Sequence, residues 1–98
     1  MTDGKPAHNP SLAWREIGGS IVIISPADSM VHELNSTAGF IWKHADGERG
    51  ASEIASLLAA EFDVPAESAL LDTLELLAVL EEKRLVMFSS PREGMRND

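Results

Sequence analysis

The sequence predicts an α+β domain in which a three-stranded antiparallel sheet precedes three α-helices. Three observations carry this. Up to Leu34 the chain consists of short extended segments separated by turn residues. From Ser36 onward, apolar residues recur at helical spacing. Between the two regimes, Leu34-Asn35-Ser36-Thr37-Ala38-Gly39-Phe40-Ile41-Trp42 reads as a strand running into a capped helix, closed by Asp46-Gly47.

Each element has a local reason. Residues 1–11, with Gly4, Pro6 and Pro10 among polar residues, read as a flexible arm. Leu12 to Ile17 is a short strand, and Gly18-Gly19 a hairpin turn, because both glycines accept positive φ. Ser20-Ile21-Val22-Ile23-Ile24-Ser25 is β-branched and apolar, a strand expected to be buried on much of both faces. Pro26-Ala27-Asp28-Ser29 is a turn, and Met30-Val31-His32-Glu33-Leu34 a third strand. Asn35 or Ser36 caps the first helix, which runs to Ala45 and stops at Asp46-Gly47, where glycine takes the left-handed position. Ser52 is the expected cap of a second helix, with Ile54, Leu57, Leu58 and Phe62 as its apolar stripe. Pro65 suits the first position of a third helix running to Lys83. Leu85 to Phe88 is either a short strand or packed chain, and residues 89–98 read as a disordered tail.

The third helix has more apolar surface than one core contact needs. At about 100° per residue, Ala69, Leu70, Thr73, Leu76, Leu77 and Leu80 fall on one side. Leu71, Leu74 and Ala78 widen that side beyond the roughly 100° stripe of a core-facing helix. Either both flanks pack within the chain, or one apolar edge is open to a partner.

Composition excludes whole classes of function. An apolar fraction of 44% belongs to a globular chain, and 98 residues make one core. Sixteen acidic against eight basic residues give a net charge of −8, which repels nucleic acid and anionic membranes. There is no cysteine, hence no disulfide, zinc ribbon or iron–sulfur ligation, which fits the cytoplasm. No signal peptide and no membrane span are legible. His32-Glu33 begins like a zinc-protease motif, but Ser36 stands where its second histidine would be. Gly47 and Gly50 lead to Ala51-Ser52, not to a phosphate-binding Lys-Ser. No catalytic constellation, metal site or cofactor site is readable, so function must lie in surfaces.

Three strands and three helices make a winged helix-turn-helix-like plan, which raises DNA binding. The helix that would read DNA has no Lys or Arg from Ala66 through Glu82 and five acidic residues, Glu67, Asp72, Glu75, Glu81 and Glu82. A major-groove reader carries basic or amide side chains there. The alternative left open by the plan is a regulator or scaffolding module acting through protein contacts.

In order and spacing these residues resemble the PqqD family and, more broadly, the RiPP recognition element, the leader-binding domain of ribosomal peptide pathways. The resemblance rests on Leu34-Asn35, Thr37-Ala38, Ile41-Trp42, Asp46-Gly47, Ile54-Ala55, Asp72, Leu76-Leu77, Leu80 and Leu85-Val86, and covers residues 12–88. Two departures are Ser52, where the family often has a Thr nearer the glycine, and Arg84, where a Gly often stands. They leave the pathway unassigned.

The resemblance implies a non-catalytic peptide chaperone. A precursor's leader adds a strand to the sheet edge, and a modifying enzyme, often a radical-SAM protein, acts on the rest of the precursor. Strand addition takes its affinity from backbone hydrogen bonds and its choice of side chains from apolar pockets. Met30, Val31, His32, Glu33 and Leu34 are the expected edge, and Leu71, Leu74, Glu75 and Ala78 the facing wall. Glu33 and Glu75 would favour a basic residue in the peptide. A monomer or weak dimer is expected.

Overall fold

A computed structural model describes residues 4–26 and 28–88; the expected tail at 89–98 lies outside them. The elements are β1 (Pro6–His8), β2 (Ala13–Ile17), β3 (Ser20–Ser25), β4 (Met30–Leu34), α1 (Ser36–His44), α2 (Ala51–Phe62), α3 (Ala66–Glu82) and β5 (Val86–Phe88). Strands β2, β3 and β4 form an antiparallel sheet in that order, and the three helices follow it. The architecture is the expected α+β, winged-helix-like plan.

The N-terminal arm differs from expectation. Residues 6–8 form a strand that pairs antiparallel with β5, Ala7 facing Met87. The Asp46-Gly47 turn helps hold it: Ala7 bridges Asp46, and the Gly47 N–H donates to the Pro6 carbonyl at 2.8 Å. Gly47 has φ +84, and a Cβ there would sit 3.4 Å from that of Ala7. Glycine at this position therefore serves the clasp on β1. Helix α1 itself has Ala45 as its C-cap, whose φ of −86 is not left-handed, so the expected glycine stop at Gly47 is not what terminates the helix.

Helix boundaries follow local chemistry. Asn35 caps α1, its Oδ1 accepting the Ala38 N–H at 2.9 Å. Helix α2 starts earlier than expected, with Gly50 as N-cap in place of Ser52, and Glu53 accepts the Gly50 N–H at 3.3 Å. Asp63, left-handed at φ 55, ends α2, and Pro65 precedes the first turn of α3 as N-cap. The core joins Ile21 and Ile23 of β3 to Ile41 and Trp42 of α1, Ile54, Ala55 and Leu58 of α2, Ala69, Leu77 and Leu80 of α3, and Leu85 and Val86. Sheet and α1 meet so closely at Gly39 that a Cβ there would lie 2.8 Å from Ile21 Cγ1.

Strand β3 is buried on one face only, contrary to its composition. Ile21, Ile23 and Ser25 are buried, whereas Ile24 is 46% exposed. Side chains alternate across a strand, and among the described residues no helix packs on the Val22 and Ile24 side. The β-branched character of β3 reflects strand propensity more than burial.

Candidate functional site

The edge at β4 can be derived from the turn that begins the sheet. Gly18 and Gly19 have φ +56 and +87, a two-residue type I′ turn flanked by the pair Ile17 and Ser20. In such a hairpin the flanking residues exchange both backbone hydrogen bonds, and bonded pairs then recur at every second position. Ser20, Val22 and Ile24 thus direct their backbone groups to β2. Ile21, Ile23 and Ser25 direct theirs to Leu34, His32 and Met30 of β4, their register partners. Val31 and Glu33 are left with N–H and C=O groups pointing away from the sheet. Beyond β4 no further strand lies among the described residues.

The same alternation sorts the side chains. Met30, His32 and Leu34 share the face of Ser25, Ile23 and Ile21, the face toward the helices. Leu34 packs on the core, His32 is half-buried and Met30 is 49% exposed. Val31, 64% exposed, and Glu33 lie on the opposite face with Ile24 and Val22. The edge therefore offers backbone groups from Val31 and Glu33 and side-chain contact from Met30, His32 and Leu34. Glu33 and Glu75 do not form one acidic wall, because Glu33 faces away from the helices.

Strand β2 is also terminal in the sheet, but its helix-facing side is already occupied. Trp14 meets the rings of His8 and Trp42 edge-on at 5.4 and 5.9 Å. Glu16 pairs with Lys43 of α1 at 3.1 Å. His8 lies flat on the Trp42 indole, centroids 3.7 Å apart, with its Nε2 at 2.7 Å from the Trp42 carbonyl. This aromatic cluster fastens β1 to α1 and β2. Nothing in the local sequence signals this contact, because His8 and Trp42 are 34 residues apart.

On α3, Leu71 and Leu74 are 61% and 48% exposed, and Glu75 and Ala78 are exposed beside them. Leu74 and Ala78 line a recess of about 160 Å³ with Gly4, Ala51, Leu77, Glu81 and Phe88. No residue of β4 lines that recess. Helix α3 packs on α2, α1 and β5, whereas β4 packs on β3 and α1. The apolar surplus of α3 is thus exposed, but Leu74 and Ala78 belong to a hollow at the β5 end of the helix.

Electrostatics add little chemistry. The Asp46 carboxyl is held below its ordinary value, first by the Glu48 N–H it accepts at 2.9 Å and then by the Arg49 guanidinium at 2.7 Å, against a desolvation penalty. This is the chemistry of a stabilised turn. Among the described residues no cluster of His, Asp and Glu is placed to hold a metal, and no helix is long and apolar enough to cross a membrane.

Residues 20–86 match the family model for coenzyme PQQ synthesis protein D. A PqqA binding protein of Xanthomonas oryzae pv. oryzae is 36% identical over 86 residues, covering 86% of this chain and 91% of the relative. One from Xanthomonas axonopodis pv. citri is 38% identical over 84 residues, with the same two coverages. Among solved structures, TbiB1 in complex with the TbiA(beta) leader peptide superimposes with a TM-score of 0.77 at 18% identity, over 86% of this chain and 98% of that one. A lasso peptide synthetase B1 complexed with its leader peptide gives 0.76 at 19%, over 85% and 98%. At such identities the superpositions speak for the fold. The family match and the curated relatives speak for descent, and the chain belongs to the PqqD family.

Proposed function

We propose that this protein is a non-catalytic peptide chaperone. It binds the leader of a ribosomally made precursor as an added strand along Met30–Leu34 and presents the precursor to a modifying enzyme. The observation that carries this reading is the outward-facing backbone of Val31 and Glu33 on a terminal strand. The names of the relatives point the same way, since they are PqqA binding proteins, as do leader peptides bound to proteins of the same fold. The absence of cysteine fits a cytoplasmic site of action.

The edge is short, so backbone bonds alone give little affinity. Each large apolar side chain of the peptide that is well buried adds roughly 1.5–3 kcal/mol, less the cost of ordering the peptide. Two or three such anchors supply about 3–9 kcal/mol before that cost, so micromolar binding, about 8 kcal/mol net, needs the backbone hydrogen bonds as well as the anchors. Met30, His32 and Leu34 flank the added strand on the helix side, and the exposed Leu71 of α3 is proposed as part of the facing wall. The exposed carboxylates of Glu33 and Glu75 act separately and add only modestly for a basic peptide residue.

The test is calorimetric titration with leader segments of precursor peptides encoded in the same genome. Val31→Pro removes an outward N–H without touching the bonds to β3, and weakens binding at least tenfold. Val31→Thr keeps that donor and binds within about threefold of wild type. If a leader binds and both variants, shown to be folded, bind it as wild type does, the peptide lies elsewhere.

A further inference from the structure

The outer face of the sheet is unpartnered among the described residues, and its pattern is self-complementary. Two rows of side chains cross it. One runs Ala13, Ile24, Val31; the other runs Arg15, Val22, Glu33. Ile17 extends the apolar surface beside the turn and is 55% exposed. In the second row opposite charges stand at the two ends, about two strand spacings or ~10 Å apart. Neither Arg15 nor Glu33 is in an ion pair among the described residues. We infer that this face docks a second copy of the chain, sheet against sheet.

The pairing follows from symmetry. Two identical faces pack around a two-fold axis lying between them. If the axis runs along β3, β2 of one copy lies over β4 of the other. Arg15 then meets the second copy's Glu33 at both ends of the row, Val22 meets Val22, Ile24 meets Ile24, and Ala13 meets Val31. If the axis runs across the strands, the charged row falls on the apolar row and neither charge finds a partner. The sequence on this face thus selects one of the two orientations. It also leaves the outward backbone of Val31 and Glu33 unblocked, so an added strand and a second copy are compatible.

The face measures about 14 by 17 Å from strand spacing and rise. That is far smaller than the roughly 800 Å² per partner of a standard stable complex. Association is therefore weak, with a dissociation constant on the order of 0.1–1 mM. The net charge of −8 on each copy works in the same direction.

Sedimentation and translational diffusion from about 20 μM to about 1 mM, at about 0.15 M salt, test this. Wild type moves toward dimer across that range. Arg15→Glu and Glu33→Arg each weaken association at least fivefold, although Glu33→Arg lowers the net repulsion between copies. The doubly exchanged protein, R15E with E33R, keeps the charge of −8 and recovers the wild-type curve. Ile24→Lys sets like charges against each other on the axis and gives a monomer throughout. All variants are first shown to be folded by far-UV circular dichroism. A wild type that stays monomeric at about 1 mM overturns the proposal. So does a dimer that survives Ile24→Lys, or one that the double exchange does not restore.

Discussion

Replacing Trp42 by alanine tests how the small core is held. The indole is fully buried, stacked on His8 at 3.7 Å and met edge-on by Trp14 at 5.9 Å. Truncation removes its transfer free energy and leaves a cavity between α1, β1 and β2. For a buried tryptophan these sum to about 3–5 kcal/mol, a large share of the roughly 5–15 kcal/mol typical of a domain. The His8 ring also loses its platform, which weakens the packing of β1 on α1. Trp42→Phe is the instructive companion. It keeps an aromatic surface for His8 and removes the indole Nε1, which has no hydrogen-bond partner among the described residues, so its loss is smaller. Urea denaturation followed by circular dichroism measures both without relying on the fluorophore that has been removed. A loss below about 1 kcal/mol for Trp42→Ala refutes the account of the core.

Other perturbations read other parts of the fold. Gly39→Ala forces a Cβ to 2.8 Å from the buried Ile21 side chain and costs about 1–3 kcal/mol; an unchanged urea midpoint contradicts the close sheet–helix contact. Arg84 has φ +63, so Arg84→Gly relieves a left-handed backbone and raises stability by about 0.5–1 kcal/mol, seen as a higher midpoint at unchanged slope. Asp46 has a depressed folded value, so its contribution is present above its ordinary 3.8 and is lost as pH falls below that. Asp46→Asn accordingly reduces the stability difference between about pH 6 and about pH 3, and an unaltered difference removes Asp46 from the acid response.

Much of the fold was legible because its boundaries are set by short-range chemistry. The Gly18-Gly19 turn, the Asn35 cap and Pro65 each act through neighbouring backbone, so the main sheet and the helices fall close to where these residues place them. The strand at residues 6–8 was not legible, because its pairing partner is β5, at the other end of the chain. Arg84 adopts a left-handed conformation, which glycine takes at less steric cost and which nothing in the local pattern signals. The site was half legible. The segment Met30–Leu34 stood out as a strand, but its sequence does not alternate cleanly. The outward placement of Val31 and Glu33 follows from counting residues back to the Gly18-Gly19 turn. The exposure of Leu71 and Leu74 agrees with the surplus apolar face of α3. That Leu74 and Ala78 share a recess with Phe88 depends on the β1–β5 pair, which the local pattern did not disclose.

The most direct test of the central claim is amide hydrogen exchange with and without a saturating leader peptide. The Ile23–His32 and Ile21–Leu34 pairs already engage the amides of His32 and Leu34 within the sheet, whereas those of Val31 and Glu33 point outward. Strand addition at β4 slows exchange at Val31 and Glu33 strongly and at their inward-paired neighbours far less, an alternating pattern along one strand. A leader that binds while the exchange of Val31 and Glu33 stays unchanged contradicts strand addition at this edge.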